Sequence, residues 1–186
     1  MATTQKIHTP LTPEVIASLR AGDTVLLSGD LYTARDTAHR RMVDAVKKGL
    51  PLPMDLKTAV LFYAAPSPTP PGKIIGSIGP TTSYRMDAFT PGLMEQGLRV
   101  MIGKGSRSSE VAAAIQTYGG VYFGAIGGIA ALTARCIVRM ETAAYEDLGP
   151  EAIRLLTVVD LPLVVVNDSK GNDLYKTEQN KWRILL

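Results

Sequence analysis

The 186 residues carry a formal net charge of +3, and 46% of them are apolar. That composition supplies a core and excludes a disordered chain, while so small a charge gives no case for nucleic acid as partner. No run reaches the ~18 apolar residues of a membrane helix, and the single cysteine, Cys136, excludes a disulfide framework or a cysteine-rich metal or cluster site built by this chain alone.

The stretch Met1-Ala-Thr-Thr-Gln-Lys6 has no apolar segment behind its lysine, so it reads as no secretory signal and a cytoplasmic protein is expected. The first helix has a cap in Thr12, a proline at its first position, Glu14 at its positive end and a stop near Gly22. A buried strand is predicted over 24–28, then a loop and a helix over 36–48. Further strands are predicted at 58–63, 99–103, 120–123, 136–140, 155–159 and 163–166, the last two parted by Pro162. Helices are predicted at 86–96, 109–118 and 127–134. Residues 64–73 hold four prolines and read as a stiff loop inside one domain spanning 1–186, not as a linker. Residues 167–173 read as a hairpin turn. The alternation of strand and helix gives an α/β class with partly parallel pairing.

Three strand-to-helix junctions carry polar residues that the fold alone does not demand. In the first, Arg35-Asp-Thr-Ala-His-Arg40, Asp36 suits the helix start and stands four residues before Arg40. Arg35 is a cation at the positive end of a helix, which calls for an anion there. In the second, Thr81, Thr82, Ser83 and Arg85 follow a Gly-Pro turn, and hydroxyls with a guanidinium make a carboxylate or phosphate cradle. In the third, Lys104 lies between Gly103 and Gly105, without the spacing of a Walker A loop. Ser108 or Ser109 is expected to cap the next helix, Arg107 to be a solvated cation, and Cys136 to be a small core residue on a strand. The glycines around 124–128 suit tight packing, or free N–H groups for an anion.

Ligands of α/β sheets gather outside the carboxyl ends of strands. Convergence of Arg35, Thr81–Arg85 and Lys104 there would give three cations with little negative charge, suited to a small dianion such as a dicarboxylate. With His8 and His39 the only histidines, no strong base is evident.

Arg35-Asp-x-Ala-His39, Gly79-Pro-Thr-Thr-x-x-Arg-Met-Asp87, Gly103-Lys-Gly105, Tyr122-Phe-Gly-Ala-Ile-Gly-Gly128 and Asp160-Leu-Pro162 occur in that order. This pattern resembles the beta subunit, or C-terminal domain, of the class I iron–sulfur fumarate hydratase and L(+)-tartrate dehydratase family. The resemblance implies a swivelling β/β/α fold, a mixed β core flanked by helices, over 1–186. It implies a hydro-lyase that interconverts fumarate and (S)-malate, or acts on L(+)-tartrate, and works only with an alpha subunit that carries a 4Fe–4S cluster. A free-standing anion-binding module without catalysis is the other reading. By the same resemblance Arg35, Arg85 and Lys104 bind substrate carboxylates, Thr81 handles a proton at C3, Asp36 is a further catalytic candidate, and this chain binds no metal.

Overall fold

The computed structural model describes residues 4–183. The N-terminal residues 1–3, part of the stretch read above for a targeting signal, lie outside the described residues. In chain order come β1 (Gln5–His8), α1 (Pro13–Ser18), β2 (Thr24–Thr33), α2 (Asp36–Lys47), β3 (Val60–Phe62), β4 (Ala64–Pro66) and β5 (Ile78–Pro80). A 3₁₀ turn (Ser83–Met86) leads to α3 (Thr90–Glu95), β6 (Val100–Gly103), α4 (Ser109–Tyr118), β7 (Val121–Gly124) and α5 (Ala130–Arg135). The chain then forms β8 (Ile137–Ala144), a second 3₁₀ segment (Glu146–Glu151), β9 (Ile153–Asn167) and α6 (Leu174–Trp182).

The α/β class is observed: a mixed sheet in the order β1-β2-β3-β6-β7-β9-β8, with β2 also paired to β9. That extra pairing closes β2, β3, β6, β7 and β9 into a ring. The β2–β3, β3–β6 and β6–β7 pairs are parallel, and β9 runs antiparallel to both β7 and β2. Alternation along each strand divides the apolar residues between two clusters. Val60, Phe62, Val100, Ile102, Val121 and Phe123 join Leu156, Val158, Leu161 and Leu163 inside the ring. Leu61, Met101 and Tyr122 face outward onto Ala38 and Met42 of α2, Leu93 and Met94 of α3, and Val111 and Ile115 of α4.

Local signals account for most boundaries. The Thr12 hydroxyl accepts from Val15 N, and the Ser108 hydroxyl accepts from Val111 N. Four expectations change. β9 is one strand of 15 residues, not two separated at Pro162. A bulge absorbs the irregularity: Leu27 faces Leu161 but Gly29 faces Val158, and Asp160 takes φ 49 with its N–H donated to the Ser28 hydroxyl at 2.9 Å. Pro162 falls where β9 has a partner on one side only, between the end of its pairing with β8 at Val158 and the start of that with β7 at Val164, so its missing donor is tolerated. The helix expected over 86–96 is split, because Pro91 can open a helix but not continue one. Helix α1 ends at Ser18, and Gly22, with φ 98, serves instead to donate its N–H to Val165 O. Residues 167–173 form a tight loop closed by an Asn167–Asp173 bridge, which leads into α6 rather than a returning strand.

The proline segment is a loop between two paired strands, with Ala64–Pro66 antiparallel to Ile78–Pro80. Gly29 is a required glycine. It has φ +108, and a Cβ there would lie 2.3 Å from the Thr9 hydroxyl and 3.2 Å from Thr9 backbone atoms. Gly29→Ala should therefore cost about 1–3 kcal/mol of backbone strain, plus the clash, in urea unfolding with an unchanged m value. Gly49→Ala, at φ +64 with open space around it, should cost clearly less. Equal losses for the two would contradict this account.

Candidate active site

The three junctions lie at the carboxyl ends of β2, β5 and β6, and backbone hydrogen bonds join two of them directly. Thr81 N–H donates to Tyr63 O at 2.7 Å, and Thr81 O accepts from Lys104 N at 3.3 Å. Ser83 N–H donates to Lys104 O at 2.9 Å, so residues 81–83 run as a short parallel ribbon beside the end of β6. Gly103 permits the approach: a Cβ on it would sit 1.9 Å from the Ser83 hydroxyl. Gly105 has φ 80 and turns the chain immediately after Lys104. The Lys104 side chain is exposed and runs past Gly127, where an added Cβ would be 4.0 Å from its Nζ. Lys104 and Gly124–Gly127 line an open cleft of about 300 Å³, walled on its far side by Val164, Val166, Leu174 and Tyr175.

The first junction meets the second through an ion pair. Arg85 Nε donates to Asp36 Oδ1 at 2.7 Å. Arg35 lies 3.8 Å from Asp36 and 3.4 Å from Glu151. Glu151 also accepts from Thr37 N–H, so it caps α2 from the second 3₁₀ segment. The expected cluster of cations with little negative charge is thus corrected: two arginines face two carboxylates. The anion demanded by Arg35 at a helix start is a protein carboxylate. Asp36 bonds Arg85, not Arg40 four residues on. No pattern around Gly149-Pro150-Glu151 pointed to this role.

Arg107 is not the solvated cation expected. Its side chain is fully buried, with Nε donating to Asp87 Oδ1 at 2.7 Å and an NH2 group donating to the Thr90 hydroxyl at 2.9 Å. Its guanidinium carbon stands 5.3 Å from the Tyr63 ring centroid and 4.9 Å from that of Tyr122. Asp87 Oδ2 accepts from Ser108 N–H at 2.7 Å. The Tyr122 hydroxyl bridges the Ser83 hydroxyl and Gly105 O. Burial pushes the pKa of the Tyr122 hydroxyl well above its ordinary value, so it stays protonated and able to donate. This buried group ties the 79–87 segment to the 103–108 loop beneath the face formed by the half-buried Thr81 and the exposed Arg85 and Lys104. Thr82 precedes the 3₁₀ turn without a side-chain capping bond.

His39 lies against the same group, fully buried, 5.1 Å from Tyr63 by ring centroids. Its Nδ1 must carry the proton, because its partner at 2.9 Å is the Arg35 carbonyl, and its Nε2 has no partner among the described residues. Cys136 ends α5 rather than lying on a strand, and burial raises its thiol pKa. Among the described residues no three His, Cys, Asp or Glu side chains group so as to hold a metal ion, so this chain does not fit an iron–sulfur cluster by itself.

The chain matches the family model described as Fumarase C-terminus over residues 2–178, and it belongs to that family. It is 41% identical over 156 residues to "Fumarate hydratase 2" of Leishmania major, a match covering 83% of this chain and 28% of that one. It is 40% identical over 157 residues to the anaerobic class I fumarate hydratase of Escherichia coli (strain K12), covering 83% and 29%. A Methanocaldococcus jannaschii protein with the provisional name L(+)-tartrate dehydratase subunit beta is 37% identical over 177 residues, covering 92% and 90%. The chain thus spans less than a third of the length of these two fumarate hydratases. No helix among the described residues is long and apolar enough to cross a membrane.

Burial, with the Arg107 charge nearby, lowers the pKa of His39 from 6.5 to about 4, against the opposing pull of the Arg35 carbonyl. A buried imidazole with a lowered pKa is neutral when folded, so its contribution is complete above pH 6.5 and is lost as pH falls toward 4. At ~1.36 kcal/mol per unit, up to about 3 kcal/mol of stability should disappear across that window. Urea unfolding of the wild type should show the loss, and His39→Asn, which keeps a donor near Nδ1, should flatten it. An identical pH dependence in the variant would place the titrating group elsewhere.

Proposed function

We propose that this chain is the beta component of a class I fumarate hydratase, binding the dicarboxylate and handling a proton while an alpha component supplies the iron–sulfur cluster. The observation that carries the reading is the coupled pair of loops. Residues 81–83 and Lys104 are locked backbone to backbone, and they present the Lys104 ammonium and the outer edge of the Arg85 fork with no carboxylate among the described residues bonded to either. Asp36 grips Arg85 through Nε alone, which orients the guanidinium and leaves its NH1 and NH2 groups for a substrate carboxylate. Asp36 therefore acts as an orienting group in this reading. Arg35, already shared between Asp36 and Glu151, adds positive potential at the second carboxylate.

Loss of the malate C3 proton builds enediolate-like charge on the adjacent carboxylate, and cations fixed beforehand stabilise that charge. The Thr81 hydroxyl, on a backbone held at both its N–H and its C=O, is the proton-handling group. The alpha component and the cluster lie outside this chain, in a heteromeric and cytoplasmic enzyme. A tartrate dehydratase is the second reading, favoured by the match in length: the chain covers 90% of the relative carrying that name.

The full chain, assembled with its cluster-bearing alpha component, is the material for the test. Arg85→Lys keeps the charge but loses the fork, and Lys104→Met loses the charge. Each should lower kcat/KM for fumarate at least ~10-fold. Thr81→Ala should lower kcat by about 10²–10⁴ and should slow solvent exchange of the malate C3 proton in step. Wild-type kinetics in all three variants would remove this face from the reaction. Turnover of L(+)-tartrate but not fumarate would select the second reading.

A further inference from the structure

A second cluster of cations lies at the opposite end of the strands, where the sequence reading placed nothing. Lys57 precedes β3, Arg99 precedes β6, and Lys170 follows β9, which runs antiparallel to β7. All three therefore reach the amino-terminal edge of the parallel strands, while Thr81, Arg85 and Lys104 occupy the carboxyl-terminal edge. The three cations line one cleft of about 340 Å³, whose other wall is the apolar side of α1 with Ile16, and whose floor includes Tyr118. That volume suits a small-molecule site.

The charges here are not spent on carboxylates. Among the described residues Lys57, Arg99 and Lys170 form no salt bridge, and none of the residues lining the cleft is acidic. The neighbouring acids are turned to the backbone: Asp55 accepts from Lys57 N–H, and Asp168 accepts from the N–H groups of Ala21, Lys170 and Asn172. Arg99 uses one amino group, NH1, on the Met94 and Leu98 carbonyls, which fixes its fork. Its guanidinium carbon is 5.5 Å from the Tyr118 ring centroid. Complementing the carboxyl end of α3 accounts for that one amino group of Arg99. It does not account for the remaining edge of the fork, nor for two lysines across the same cleft. The Ser169 hydroxyl, in the wall next to Lys170, is buried with no partner among the described residues. A buried polar group left unpaired in the wall of a cleft calls for a partner.

We infer that this cleft is a binding site for a small organic phosphate, with the phosphate held between Lys57, Arg99 and Lys170 and an aromatic or apolar body lying along Tyr118 and Ile16. Three cations more than offset the charge of a phosphate dianion, the planar fork of Arg99 suits phosphate oxygens, and the apolar wall gives the body of the ligand a place to exclude water. The inference does not depend on the activity proposed for the other edge.

Adenosine 5′-monophosphate is the probe, titrated into the full chain, with inorganic phosphate as the anion alone. Amide resonances of Tyr118, Gly119, Ser169 and Lys170 should shift with AMP, and those of Thr81 and Lys104 should not. Lys57→Glu and Lys170→Glu change exposed side chains and should leave the fold intact. Each should weaken AMP binding at least ~10-fold, the scale of a lost charge-assisted contact. Phosphate alone should bind more weakly than AMP. No shift at these four amides, equal AMP affinity in wild type and both variants, or phosphate binding as tightly as AMP would each overturn the assignment.

Discussion

A buried guanidinium organises this molecule. Arg107 sits with a fully buried side chain between two tyrosine rings, its fork divided between Asp87 and Thr90. Removing such a charge from water costs several kcal/mol, and only a complete set of partners offsets it. The chain supplies that set from three separate places: β7 through Tyr122, the β3–β4 junction through Tyr63, and the segment after β5 through Asp87. Whatever holds Arg107 therefore holds those places together. Loop 103–108 cannot move off segment 79–87 without leaving an unpaired charge in the core.

The consequences reach the surface one layer away. Asp87 also accepts from the N–H of Ser108, the cap residue of α4. Tyr122 carries the link to the Ser83 hydroxyl and Gly105 O, on either side of the ribbon that pairs Thr81–Ser83 with Lys104. The cations that face solvent at this end, Arg85 and Lys104, stand on a backbone held by these bonds, and Asp36 orients the Arg85 guanidinium. In the proposed function that arrangement suits the holding of two carboxylates, since preorganised donors need no reorganisation when charge develops. The closed ring serves the same end. With β2 paired to both β3 and β9, the carboxyl ends of β2 and β6 cannot splay.

Much of this was legible in the residues, and the failures share one cause. Thr12 and Ser108 fix helix starts by bonds to their own next turn, and Pro13 by its preset φ, so local sequence suffices. The glycines on either side of Lys104 were visible, but that the Ser83 hydroxyl is what comes close to Gly103 was not. Arg107 and Glu151 were missed because their partners are remote: Asp87 is separated by |i−j| = 20, and Thr37, which Glu151 caps, by |i−j| = 114. An arginine in a run of glycine and serine looks solvated until the tyrosines that cover it are known. Pro162 misled for the opposite reason. Proline normally ends a strand, but here it falls at a stretch of β9 that has a neighbour on a single side. Arg35 was rightly read as needing an anion, and the residues alone did not say whether that anion belonged to the protein or to a ligand.

The central claim is that the buried fork, and not the surface charges, holds the two loops together. Native-state hydrogen exchange of Arg107→Lys tests it most directly, because lysine keeps the charge and loses the fork. The amides of Ser83 and Lys104 should exchange at least ~10-fold faster than in the wild type, the scale of one lost charge-assisted bond, while amides in the β2–β9 pairing keep their protection. Unchanged protection at Ser83 and Lys104 would contradict the claim.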